Sequence, residues 1–155
     1  MWQWLVGIFG LWAAKKALDA LSDPGQARRK TSSRSVAREH QQLVNNLRRL
    51  RKELRECSSN GRIALLGQPG SGKSSLLFRL TKGACDPKPV ISQKTDATDW
   101  SRSGNVRLLT RWRQQIYVDT PGYDTRRHKA SIYIEHFPFT DTDVVVLVLS
   151  GKLHA

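Results

Sequence analysis

Gly67-Gln68-Pro69-Gly70-Ser71-Gly72-Lys73-Ser74 fills every specified position of the phosphate-loop pattern G-x-x-x-x-G-K-[ST]. Glycines let successive backbone N–H groups turn inward around phosphate oxygens, where side chains would block the approach. Lys73 then reaches the terminal phosphates, and the Ser74 hydroxyl ligates magnesium. Residues 62–66, Arg-Ile-Ala-Leu-Leu, read as a buried strand entering the loop. Residues 75–80, Ser-Leu-Leu-Phe-Arg-Leu, read as the helix whose amino terminus faces the phosphates, with Ser75 in its first turn. Strand, loop and helix in that order separate the motif from an ordinary glycine-rich turn.

Further along, Asp119-Thr120-Pro121-Gly122 follows Gln115-Ile116-Tyr117-Val118, which has the pattern of a strand. An acidic side chain at the end of a strand beside the phosphate-loop strand supports magnesium, usually through water. Gly122 carries no side chain, so its backbone N–H is free to approach a γ-phosphate. Alone, D-x-x-G describes many turns. Placed after a strand and 46 residues beyond Lys73, it becomes specific.

The two motifs together resemble the translation-factor class of P-loop GTPases, particularly its Era-like branch, whose members commonly read Asp-Thr-Pro-Gly at this point. The resemblance covers residues 62 to 150 and implies an α/β P-loop NTPase fold, with GTP as ligand and Mg2+ as cofactor. In that family a threonine before the second strand contacts magnesium and γ-phosphate. Thr98 is the first choice for it and Thr95 the second, within Ile91-Ser92-Gln93-Lys94-Thr95-Asp96-Ala97-Thr98-Asp99-Trp100. The resemblance places the second and third strands at residues 105–109 and 113–118, as a hairpin. Residues 143–149, an almost continuous apolar run, then form a fourth strand covered on both faces.

The chain departs from the family in two places. The guanine-reading motif Asn-Lys-x-Asp occurs nowhere in the 155 residues, so the expectation is an incomplete G domain, a fragment of a longer GTPase. Tyr123 stands where Ras-like members place a glutamine that orients the attacking water, which leaves the catalytic residue unknown and implies slow hydrolysis. Tyr123-Asp124-Thr125-Arg126-Arg127-His128-Lys129 would be the second switch loop, either reading a partner or forming a solvated surface. His128 and His136 give no catalytic signal of their own.

Amino-terminal to the G-like region, 60–155, the sequence falls into two further segments. Residues 1–24 carry Trp2, Trp4 and Trp12 among aliphatic residues and then Lys15 and Lys16. The apolar stretch is shorter than the roughly 20 residues a membrane-spanning helix needs. It suits either a membrane interface or packing on a neighbour. Ser22-Asp23-Pro24-Gly25 reads as a stop and turn. Residues 25–59 form a basic helix or linker in which His40, Leu43, Leu47, Leu50 and Leu54 share one face, a stripe that packs on the following domain or pairs in a coiled coil. The fold class is thus an α-helical extension followed by the partial P-loop domain.

Charge and cysteine content bound the rest. Twenty-six Lys and Arg against 13 Asp and Glu give a net charge of +13, which attracts polyanions. RNA or the ribosome, an anionic membrane surface met by residues 1–30, and a second copy or another protein all remain open as partners beside GTP. The peripheral membrane and the cytoplasm are the expected locations. Cys57 and Cys85 stand alone, with no Cys-x-x-Cys pair and no His at ligand spacing, so neither a disulfide framework nor a zinc site is indicated. Three functional readings compete: a GTP-dependent switch, an ATP-binding P-loop protein, and an adaptor working through residues 1–57 that binds nucleotide poorly.

Overall fold

A computed structural model describes residues 24–91 and 99–150, with side chains described from residue 32 onward. The Trp-rich segment and Thr95 and Thr98 lie outside the described residues. The chain divides into two compact units, Met1–Ala37 and Arg38–Ala155. The described part of the first is helical, and Ser35 Oγ donates to Ser32 O at 2.8 Å. Among the described residues no helix is long and apolar enough to cross a membrane.

The described elements run α1 (Pro24–Glu56), β1 (Gly61–Leu66), α2 (Lys73–Thr81), β2 (Thr110–Trp112), β3 (Gln115–Asp119), α3 (Ala130–His136), a 3-10 turn (Phe139–Asp141) and β4 (Val144–Leu147). The expected turn at Ser22–Gly25 is corrected in part, because Pro24 and Gly25 open α1. Proline suits a first helical turn, where its missing N–H would have had no partner.

Within the second unit the sheet has the order β2-β3-β1-β4. β1 pairs in parallel with β3 and with β4, and β2 pairs antiparallel with β3. On one face Ala64, Leu66, Ile116 and Val118 meet Leu43, Leu47, Leu50 and Leu54 of α1, together with Trp100, Leu108, Tyr133 and Phe137. The four α1 leucines are fully buried. The stripe read from their spacing therefore packs on the sheet. On the other face Leu65 and Tyr117 meet Leu77 and Cys85, and Val146 packs beside them.

Two expectations about strands need correction. Residues 105–109 are not a strand; the hairpin begins at Thr110. Arg49 of α1 donates to the carbonyls of Gly104 and Val106, and Asn46 Nδ2 donates to Trp100 O at 2.7 Å and Ser103 O at 2.8 Å. Helix side chains satisfy the backbone there in place of a ladder. The fourth strand is also not covered on both faces. Val144, Val145 and Leu147 are 49%, 43% and 55% exposed, because among the described residues β4 is an outer strand paired only with β1.

Candidate functional site

β1 ends at Leu66 and the chain turns at once into the glycine loop. Gly70 and Gly72 adopt φ of 74° and 93°, a region that side chains strain to enter, and Ser71 N donates to Gln68 O at 3.2 Å within the turn. A Cβ at Gly67 would collide with Val148 O and lie 2.7 Å from Ser71 Oγ, so the base of the loop is wedged against the chain leaving β4. Gln68, Pro69 and Gly70 form the rim. α2 begins at Lys73 directly after left-handed Gly72, and Ser74 and Ser75 occupy its first turn. First-turn N–H groups have no intrahelical acceptor and carry the positive end of the helix dipole, a setting for an anion.

Lys73 is only 6% exposed, and its Nζ donates to Gly67 O at 3.0 Å, Gln68 O at 2.9 Å and Ser71 Oγ at 3.4 Å. Burial lowers its pKa, and the Asp119 charge works in the opposite direction. The ammonium is thereby held at the loop, with three donors aimed at oxygen acceptors.

β3 delivers the acidic group. Leu65 and Asp119 are partners in the parallel register, so the carboxylate leaves the sheet beside the start of the loop. Ser74 Oγ donates to Asp119 Oδ2 at 2.6 Å, whereas Asp119 Oδ1 is buried with no hydrogen-bond partner. Burial raises the Asp119 pKa, opposed by the Ser74 hydroxyl and the Lys73 charge. A hydroxyl and an orphaned carboxylate oxygen side by side are hard oxygen donors of the kind Mg2+ takes, so the residues present fit the ion. Among the described residues no group of three His, Cys, Asp or Glu is assembled. A cation here would therefore complete its shell with water and phosphate oxygens, as magnesium usually does.

Thr120 fixes the turn by donating Oγ1 to Leu65 O at 2.7 Å. Gly122 then passes so close to the loop that a Cβ would collide with the nitrogen and ring of Pro69, and Tyr123 N donates to Gly67 O at 3.4 Å. The structure thus brings Gly67 to Ser75, Asp119 and Gly122 into one cluster. A cavity of about 460 Å³ lined in part by Asp119, Thr110, Trp100 and Asp99 lies alongside.

One group in this region was not visible in the sequence. Asp99 accepts from Ser101 N at 2.8 Å and from Ser101 Oγ at 2.6 Å, and lies 3.4 Å from both Arg127 Nη1 and His128 Nε2. Burial pushes its pKa up, but the Ser101 hydrogen bonds, His128 and Arg127 outweigh that and hold it below the usual carboxylate value. His128 is 4% exposed, and its Nε2 also lies 3.3 Å from Trp100 N. The second loop, far from being a solvated surface throughout, is anchored at its carboxyl end. Only the presence of Asp, Arg and His in two separate loops hinted at this, and spacing does not reveal such a contact.

A parallel strand feeding a glycine loop and helix, with the next parallel strand presenting a carboxylate to the helix's first-turn hydroxyl, defines a P-loop nucleotide-binding domain. A family model described as "50S ribosome-binding GTPase" matches residues 62–155, and the chain belongs to this family. Comparison with curated proteins and with solved structures gives no match. Family membership implies GTP as the ligand.

Proposed function

We propose that this chain is a magnesium-dependent GTP switch that hydrolyses its nucleotide slowly. The observation that carries the reading is the Ser74–Asp119 pair, 2.6 Å apart with Oδ1 unpartnered, set next to the buried Lys73 ammonium. Ser74 and Asp119 would hold Mg2+, whose charge offsets that of the phosphate oxygens. Gly67 to Ser75 would cradle the phosphates, and Gly122 would present its N–H to the terminal one. Slow turnover follows from Tyr123, whose half-buried ring packs against the core and carries no amide to orient water. The choice of guanine rests on family membership, since the sequence contains no Asn-Lys-x-Asp. Thr98 or Thr95 would supply a further magnesium contact. Residues 1–30, rich in tryptophan, Lys and Arg, would meet an anionic membrane surface.

Binding of labelled GTP with Mg2+, competed by unlabelled GTP or ATP, tests the reading. The wild-type chain is expected to bind saturably with displacement by GTP alone, and Lys73→Ala to lose at least about tenfold in affinity, since charge-assisted hydrogen bonds are each worth roughly 1.5–3 kcal/mol. Equal displacement by ATP would reduce the site to a phosphate cradle without base selection. No binding by a folded chain would overturn the proposal.

A further inference from the structure

The loop at residues 123–129 is gripped from both ends. At its start Gly122 rests on Pro69 and Tyr123 N donates to Gly67 O. Towards its end α1 takes hold: Arg127 Nε lies 3.6 Å from Glu39 Oε2, and His40 Nε2 donates to Arg126 O at 3.0 Å. The Arg127 guanidinium also reaches Asp99, so one side chain links α1, the loop at residues 123–129 and the chain just before Trp100. Thr125 and His128 close the loop on itself, with Thr125 N donating to His128 O at 3.2 Å and His128 N to Thr125 Oγ1 at 3.0 Å. α1 cannot readily follow a movement of this loop, because four leucines below His40 are buried in the sheet face.

We infer that α1 is an intramolecular clamp on the second switch loop, acting through Glu39 and His40 and opposing the rearrangement that would turn Gly122 towards a terminal phosphate. This inference rests on the reading of the site as a nucleotide switch. The clamp favours the diphosphate state, so loosening it raises the preference for triphosphate. Both α1 side chains are half-buried and each makes one cross-loop contact, so each contributes a modest coupling.

The test uses the full chain and its Glu39→Gln, Arg127→Gln and doubly substituted forms. Two quantities are read: the affinity for a non-hydrolysable GTP analogue relative to GDP with Mg2+, and amide hydrogen exchange at residues 123–129 without nucleotide. Each single variant is expected to shift the preference towards the analogue roughly two- to fivefold, as partly exposed ion pairs allow, and to speed exchange in the loop. The double variant is expected to go no further than Arg127→Gln alone, because that substitution already removes the contact to Glu39 together with the one to Asp99. His40→Ala, which leaves the ion pair intact, is expected to shift both readouts in the same direction. Unchanged preference and exchange, a shift towards GDP, or fully additive effects would overturn the clamp. A wild-type chain that binds neither nucleotide would instead overturn the switch reading on which the clamp depends.

Discussion

Asp119 serves two opposed demands. Burial raises its folded pKa above the unfolded value, so in the nucleotide-free protein this carboxyl contributes most stability when protonated, and that contribution is lost as pH rises through the raised pKa. Magnesium needs the ionised form. Mg2+ affinity is therefore expected to fall on acidification, beginning at a pH above the usual carboxylate range, and Asp119→Asn should flatten that dependence as well as weaken binding. Titration of Mg2+ binding against pH in the presence of nucleotide checks both. Lys73, Ser74, Asp119 and Gly122 were legible because each lies in a short motif whose geometry is set by its own neighbours. The Asp99–Arg127–His128 group was not, since its members stand 28 residues or so apart and meet only after the sheet has aligned their loops.

Among the elements, α1 was read from the spacing of its leucines, because a one-sided apolar stripe has to be buried whatever covers it. Spacing could not say which sheet face would receive it. It also could not foresee that Asn46 and Arg49 would take the backbone carbonyls of residues 100–106 and delay the hairpin to Thr110. Leu47 lies fully buried at the centre of the stripe. Leu47→Ala is expected to cost about 2–5 kcal/mol, the range for deleting a buried leucine side chain. Typical domains hold only about 5–15 kcal/mol in total, so urea unfolding should show a large fall in the transition midpoint. Arg48→Ala on the exposed side, by contrast, should stay within about 0.5 kcal/mol.

At the scale of the molecule the described sheet is asymmetric. Its inner strands are covered on both faces, while β4 exposes Val144, Val145 and Leu147 along an outer edge. The apolar run was legible, but its expected cover was not, because a run of valines reads the same at the centre of a sheet as at its rim. Exposed apolar edges recruit other strands, so Val145→Lys should slow concentration-dependent aggregation, as light scattering would record. The placing of α1 has a further consequence in time. Leu54 precedes Val118 by 64 residues, so the helix is synthesised well before the strand that receives it. At about 5–20 residues per second that interval lasts roughly 3–13 s. During it the leucine stripe has no sheet to lie on, and the nascent chain should then be a client for chaperones that shield apolar helices.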